Sequence, residues 1–333
     1  MKVFLTGATG FIGRALTDKL LKRGWKVNAL VRDMSSSRAL SIKNAGAAVF
    51  HGDITKPQSM RSAMDDVDIV IHNAAWYELG VSKAARQAMS RINVQGTQNT
   101  LRLAHELKVP RIVYTSTIGA FGPTCDKIGD ENFKRLSPPV SYYEYTKTEA
   151  HAIATRLQDL GAPIIITCPS IVIGPGDHSP WGYFARLYVR NIMPPIGWSK
   201  DSIFTPAHVE DIAEAIALAA EKGQIGKTYI LAGEATTMKE IFDIWNNMPG
   251  GFRIYFWLSD SIAKLVGAIT GPLLRLIGQS AFLSSEVVRV CCENWHYNAD
   301  AAVEELGAEF RSAEQIWQQT LKEERSRLKK QER

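Results

Sequence analysis

Short apolar runs punctuate the first half of the chain, each stopping at a glycine or a polar turn. KVFLT (2–6) is apolar at nearly every position and reads as a strand buried on both faces. FIGRALTDKLLKRG (11–24) has a different period: Ile12, Leu16, Leu20 and Leu21 share one face and Gly24 ends the segment, which predicts a helix. KVNALV (26–31), AAVFHGD (47–53), VDIVIHNAA (67–75), RIVYTS (111–116), PIIITC (163–168) and KTYILAG (227–233) return to the strand pattern. A long helix is predicted from about 83 to 107. Strands alternating with helices predict an α/β fold built on a doubly wound parallel sheet. No self-similarity at solenoid spacing competes with that.

Further along, the pattern loosens. The stretch 120–140, containing FGPTCDKIGDENFKRLSPPV, is polar and proline-bearing and is predicted to be an ordered loop over a site. NWHYN (294–298) is strand-like. ADAAVEELG (299–307) reads as a helix with Asn298 as its cap and Gly307 as its stop. SAEQIWQQTLKEERSRLKK (312–330) is a helix that turns Ile316, Trp317 and Leu321 inward, and the tail ERSRLKKQER is expected to be its solvated, frayed end. The longest apolar run, IYFWLSDSIAKLVGAITGPLLRLIG (254–278), is broken by Asp260, Lys264, Pro272 and Arg275, so it does not read as a spanning helix. It predicts an amphipathic segment closing a pocket, with peripheral membrane contact through 252–278 as the alternative.

Composition narrows the function classes. With 333 residues and 45% hydrophobic, the chain has material for one large or two modest domains. The net charge of +5 comes partly from the basic tail, and no stripe of mixed basic and aromatic residues suggests nucleic acid. Cys125, Cys168, Cys291 and Cys292 form no CxxC pair and no histidine-flanked cluster, so no metal site is expected and a reducing compartment fits. MKVFLTGATG enters the fold directly with no signal peptide, which predicts a cytoplasmic protein.

Candidate chemistry begins at GATGFIG (7–13), between the first strand and the first helix. Gly7 permits a tight turn, Gly10 lets backbone approach a pyrophosphate, and Gly13 lets helix pack on strand. Thr9, Phe11 and Ile12 lie within the same loop, and the following helix start offers free N–H groups to phosphate. The next strand ends at Val31 and runs into RDMSSSR. A carboxylate at that end would bind the ribose 2′-hydroxyl of NAD(H), whereas arginine suits the 2′-phosphate of NADP(H). Arg32 and Arg38, with Ser35, Ser36 and Ser37 between them, favour NADP(H), while Asp33 lies past the strand end.

SYYEYTKTEAHA (141–152) holds three tyrosines, and only Tyr143 has a lysine, Lys147, four residues on. An ammonium beside a phenol lowers its pKa toward the range where it can exchange a proton with a substrate. On spacing alone, a plain helix start with a solvated lysine remains the competing reading.

Together these segments resemble the extended short-chain dehydrogenase/reductase family over nearly the whole chain, strongly to about residue 215. GATGFIG matches its fingerprint. GDI (52–54) resembles the adenine-contacting pair, here Asp53 and Ile54. HNAA (72–75) resembles the strand end along the cofactor, here Ala74 and Ala75. NVQGT (93–97) resembles the helix whose asparagine, Asn93, helps hold the active-site lysine or its water. YTST (114–117) places the catalytic hydroxyl at Thr117, beside Ser116. Tyr143 and Lys147 match the YxxxK pair. CPSIVIGPGD (168–177) resembles the segment near the nicotinamide, here Pro169 and Ile171, and VEDIA (209–213) resembles a helix start of the family. His72 and His208 are read as structural.

The resemblance implies a Rossmann domain over 1–173, completed by 209–233. It implies a smaller, mostly helical substrate region from 174–208 and 234–330. The implied catalytic set is Thr117, Tyr143, Lys147 and Asn93. Three activities compete. The first is an NADP-dependent reductase or dehydrogenase near the dihydroflavonol 4-reductase and 3β-hydroxysteroid dehydrogenase branch. The second is a nucleotide-sugar epimerase or dehydratase, and the third a non-catalytic dinucleotide-binding module. Ile171 stands where sugar-nucleotide members usually carry asparagine, and Ile118 and Gly119 follow Thr117 where dehydratases tend to carry acids. A hydrophobic small-molecule substrate is therefore expected. Trp181, Tyr183, Phe184, Phe252, Tyr255, Phe256 and Trp257 either line its pocket or fill the core. Trp76 and Tyr77 are candidates to roof it. A homodimer through helices near 83–107 and 143–160 is a further implication of the resemblance.

Overall fold

The computed structural model of the chain describes residues 1–249, 253–276 and 283–331. Phe252 and residues 277–278, included in the sequence expectations above, lie outside them. Seven strands form the central sheet: β1 (Lys2–Thr6), β2 (Lys26–Val31), β3 (Ala48–His51), β4 (Ile69–His72), β5 (Arg111–Thr115), β6 (Ile164–Pro169) and β7 (Thr228–Leu231). Their spatial order is β7-β6-β5-β4-β1-β2-β3, and every pairing is parallel. Helices cover both faces, so Val3, Phe4, Leu5, Ile112, Val113, Ile164, Ile165 and Ile166 are all buried. This accounts for runs that do not alternate between apolar and polar positions. The strand order reverses between β1 and β4, where doubly wound sheets leave a crevice at their carboxyl ends.

Helices α1 (Phe11–Lys22), α2 (Ser37–Asn44), α3 (Gln58–Met64), α4 (Lys83–Ser90), α5 (Gly96–Glu106) and α6 (Tyr142–Asp159) alternate with the strands. The helix expected over 83–107 is not continuous: Arg91–Gln95 form a π turn between α4 and α5. Such turns insert an extra residue and re-aim side chains. The turn carries Asn93, buried at 1% exposure. Ser141 caps α6, its hydroxyl accepting from the Glu144 N–H at 3.1 Å.

The remaining helices are α7 (Pro180–Val189), α8 (Val209–Lys222), α9 (Met238–Asn246), α10 (Asp260–Leu276), α11 (Ser285–Cys291), α12 (Asp300–Leu306) and α13 (Ala313–Gln331). An aromatic cluster joins α7, α9 and α13: the Trp317 ring lies tilted 5.5 Å from Trp181 and edge-on 5.0 Å from Trp245, and Tyr188 lies 5.2 Å from Trp245. Trp181 and Phe184 thus belong to the core. Tyr255 and Phe256 point outward, and Trp257 packs on Phe242 at 5.9 Å. α12 starts after Ala299, with no side-chain cap from Asn298, and Gly307 ends it in the left-handed region at φ 59°.

The loop between β5 and α6 is held by the segment read as strand-like. The Thr124 N–H donates to Asn294 O and the Gly129 N–H to His296 O, both at 2.8 Å. The Asn298 N–H donates to Gly129 O at 3.0 Å, and the Tyr297 phenol donates to Gly122 O. Only Gly129 and Tyr297 pair in β fashion there.

α10 is amphipathic as its sequence predicts. Ala263, Gly267 and Gly271 are buried, the two glycines facing α11, while Ile262, Leu265, Ile269, Leu273 and Leu276 form an exposed stripe. Among the described residues no helix is long and apolar enough to cross a membrane. The basic tail keeps the solvated character expected of it, with Lys329 and Lys330 exposed, but its described part is helical, and residues 332–333 lie outside the described residues. α13 continues to Gln331, and Glu324, 6% exposed, accepts from the Gly176 N–H at 2.5 Å. A buried carboxylate paired with backbone anchors that turn, which charge counting along the sequence cannot reveal.

Candidate functional site

The glycine loop folds as a turn against β4. Gly7 has φ +73°, and a Cβ there would lie 2.8 Å from the Ala74 nitrogen. A side chain at Gly13 would collide with Gly7 O, so α1 can start this close to β1 only with glycine at that position. α1 begins with Gly10 as its N-cap, with no side-chain cap and no acidic residue in its first turn. Its leading N–H groups are therefore left for an external acceptor, and the dipole end favours an anion. A dinucleotide pyrophosphate fits this cradle: Gly10 removes a side chain from the approach, while Thr9, Phe11 and Ile12 bring backbone to it.

The turns after β2 and β3 carry the residues expected at the adenosine end. Arg32 and Arg38 are exposed. Asp33 is engaged locally, its Oδ1 accepting from the Ser35 N–H at 2.8 Å and the Ser35 hydroxyl at 2.6 Å. Those bonds hold its pKa below the usual carboxylate value. Asp53 likewise accepts from the Thr55 N–H and hydroxyl, both at 2.8 Å. Ile54 is buried against Gly96, where a Cβ would come within 2.6 Å of its Cδ1.

Behind the crevice runs a fully paired polar chain. The Asn73 and Ala74 N–H groups donate to Thr6 Oγ1 at 3.2 and 3.1 Å, and Thr6 Oγ1 lies 2.8 Å from His72 Nδ1. His72 Nε2 lies 3.0 Å from Thr97 Oγ1, whose own proton goes to Asn93 O at 2.7 Å. The direction of the chain assigns the proton to Nε2 and leaves His72 neutral. Burial, helped by the nearby Lys147 charge, lowers its pKa to about 3. His72 braces the strand end. His208 caps α8, accepting from the Glu210 N–H at 3.3 Å. Ala75 follows this strand end at the surface, while Pro169 is buried at the end of β6. Ile171 O accepts from the Ala207 N–H at 2.9 Å.

The end of β5 and the first turn of α6 bring Thr117 and Tyr143 together. Thr117 leads a single 3-10 turn, and its Oγ1 accepts from the Gly119 N–H at 3.1 Å. Burial raises the Tyr143 pKa above that of a free phenol, and the Thr117 hydroxyl, acting as a hydrogen-bonding neighbour, works against that rise. Tyr77 packs edge-on against Tyr143 with centroids 4.8 Å apart, whereas the Trp76 indole N–H donates to Glu78 at 3.0 Å. Ser116 lies behind, 2.9 Å from His151 Nδ1.

Lys147 departs from the arrangement its spacing suggests. Its ammonium turns into the sheet, donating to Thr115 O at 3.0 Å and to the Tyr114 phenolic oxygen at 3.2 Å. It is 2% exposed, and burial lowers its pKa to about 8. The Tyr143 phenol is thus not lowered by an adjacent cation. Asn93 does not reach Lys147 either. Its Oδ1 accepts from the Trp76 N–H at 2.7 Å, and its Nδ2 donates to Trp76 O and Thr146 Oγ1, both at 3.0 Å. The π turn aims this amide at the chain leaving β4. Tyr114 is the polar partner that sequence reading missed. Its position in the middle of an apolar strand gave a signal, since a buried phenol needs a partner. Among the described residues no group of histidine, cysteine and acidic side chains is arranged to hold a metal ion.

The NAD dependent epimerase/dehydratase family matches residues 3–232. A protein of Synechocystis sp. named as a dihydroflavonol 4-reductase is 30% identical over 91% of this chain and 89% of its own. The 2-alkyl-3-oxoalkanoate reductase of Stenotrophomonas maltophilia is 27% identical over 92% and 94%. The crystal structure of gox2253 superposes with a TM-score of 0.82 at 28% identity, covering 98% of both chains. The chain belongs to the NAD dependent epimerase/dehydratase family, within the extended short-chain dehydrogenases/reductases, and is an NAD(P)-dependent oxidoreductase of that type.

Proposed function

We propose that the protein is an NADP-dependent oxidoreductase interconverting a ketone or aldehyde with an alcohol on an apolar small molecule. The observation that carries this reading is the meeting of the Thr117 hydroxyl with the Tyr143 phenol at the carboxyl end of β5. When bound, the nicotinamide supplies or accepts the hydride. Tyr143 gives the proton to the substrate oxygen or takes it back, and Thr117 hydrogen-bonds the same oxygen and fixes its angle. Lys147, anchored on Tyr114 and Thr115, holds a positive charge behind the phenol at neutral pH. Asn93 positions the chain at Trp76 that borders the site. Arg32 and Arg38 favour a 2′-phosphate, since Asp33 is engaged with Ser35.

Residues 1–173 with 209–233 act as the cofactor-binding part in this reading, and 174–208 with 234–330 as the substrate part. Relatives named as acting on apolar compounds support the substrate class. One is "Sterol demethylase protein B" of Methylococcus capsulatus, 29% identical over 83% of each chain.

The test is to titrate purified protein with NADPH and NADH by fluorescence, then follow NADPH oxidation across a panel of apolar ketones and aldehydes. Preference for NADPH with turnover of an apolar carbonyl supports the reading. Tightly held NAD, with interconversion of nucleotide sugars, overturns it.

A further inference from the structure

Cationic side chains from separate elements converge beside the start of α1. Arg14 lies in the first turn of α1, and Arg38 in that of α2. Arg38 Nη2 is 3.3 Å from His178 Nε2. Next to them is a cavity of about 220 Å³ lined by residues that include His178, Arg186, Arg190 and Arg327. Arg327 comes from α13, the last helix, and its guanidinium covers Gly176.

Counter-charge within the protein is sparse. Among the described residues neither Arg14 nor Arg38 forms an ion pair with a carboxylate, and Arg14 bonds only to Gly10 O, at 3.4 Å through Nε. Among the described residues Glu324 is the single acid lining the cavity, and it is engaged with the Gly176 N–H at 2.5 Å and sits 4.0 Å from Arg327 Nη1. The electrostatics agree with crowding of like charge: the Arg14 pKa is lowered first by burial, then by Arg38 and Arg327. With Arg14 and Arg38 lacking a carboxylate partner and Arg327 sharing an already engaged Glu324, the guanidinium groups next to the free helix N–H groups form a site for phosphate oxygens.

We infer that Arg327 of α13, together with Arg14, closes over a phosphate group of the dinucleotide, so that the last helix is part of the cofactor site. This role rests on reading the glycine loop as a dinucleotide cradle. Glu324 acts as a positioning residue, tying α13 to the turn at Gly176. Two phosphate sources share this chemistry, the 2′-phosphate and the pyrophosphate.

The experiment compares the full chain with Arg327→Ala and with Lys322→Ala, an exposed control on the same helix. NADPH, NADH and 2′,5′-ADP are titrated by fluorescence or calorimetry, with thermal melts alongside. Arg327→Ala is expected to weaken NADPH about ten-fold or more with an unchanged melt, because one charge-assisted hydrogen bond is lost. Lys322→Ala should leave affinity unchanged. A loss confined to NADPH and 2′,5′-ADP assigns the contact to the 2′-phosphate, while an equal loss for both dinucleotides assigns it to the pyrophosphate. Unchanged affinity in Arg327→Ala overturns the role of α13 and leaves the dinucleotide reading intact. Failure of the unsubstituted chain to bind any of the three ligands overturns both.

Discussion

The Lys147 ammonium lies 3.2 Å from the phenolic oxygen of Tyr114, on the strand beneath α6, not beside Tyr143 one helical turn away. Tyr114 is therefore the group that decides where this charge sits. Tyr114→Phe keeps the ring and removes the acceptor. It is expected to destabilise the fold by about 1–3 kcal/mol, the usual effect of stranding a buried charged donor. Urea unfolding of the two proteins checks this, and equal midpoints would show that the Thr115 carbonyl suffices alone.

The same burial gives a pH dependence with a definite sign. The folded pKa of Lys147 is about 8 against an ordinary 10.5, so the unfolded chain holds this proton between those values and the folded chain does not. Stability contributed by this group is present above about 10.5 and is lost as pH falls through 8. From pH 8 to 9.5 the protein should gain about 1 kcal/mol per pH unit relative to Lys147→Met, whose curve lacks this component. Parallel stability–pH curves for the two proteins would contradict it.

Tyr143→Phe tests the acid/base assignment. Loss of the phenolic proton should lower kcat about 10²–10⁴-fold, with NADPH affinity changed by no more than a few-fold. Retained turnover would move the proton transfer to another group.

Arg32→Ala separates the two cofactors. Weakening of NADPH binding by about ten-fold or more, with NADH little changed, is expected for a charge that meets the 2′-phosphate. An equal effect on both would place Arg32 outside that contact.

Asn93→Ala would leave the Trp76 N–H and carbonyl without their partner, while the Thr146 hydroxyl keeps its bond to Tyr143 O at 2.8 Å. A destabilisation of about 2–4 kcal/mol is expected, since each stranded buried group costs about 1–3 kcal/mol before relaxation or water relieves it. Thermal melting reads this directly.

The parallel strands were legible because two-sided burial writes itself as uninterrupted Val, Ile and Leu, as in IIIT of β6. The glycine loop was legible because Gly7 and Gly13 are each required by a backbone neighbour. Thr117 and Tyr143 were placed through motif order, and the structure brings them together. Less of the second region could be read. Its strands pair over only two or three residues, as Ile196–Trp198 does with Phe256–Leu258, too short for any period to register. Trp181 and Phe184 look alike as pocket or core residues until Phe204, Trp317 and Trp198 are seen against them. The direction of Lys147 was not written in the i, i+4 spacing, because a four-carbon side chain can leave the helix face that spacing describes. Glu324 reads as one more charge in a charged tail until its bond to Gly176 is seen.

The loop joining Thr117 to Tyr143 is stitched to residues 294–298, with Thr124 reaching Asn294 O and Tyr297 reaching Gly122 O. During synthesis, Thr117 and Tyr143 emerge long before the segment that fastens the chain between them. At ribosomal speeds of about 5–20 residues per second, the interval is roughly eight to thirty seconds. For that time a nascent sheet would present its crevice beside an unsecured loop, with β7 also still to arrive. The corner that joins Thr117 to Tyr143 is thus a late product of translation, and the C-terminal segment acts as its completion step.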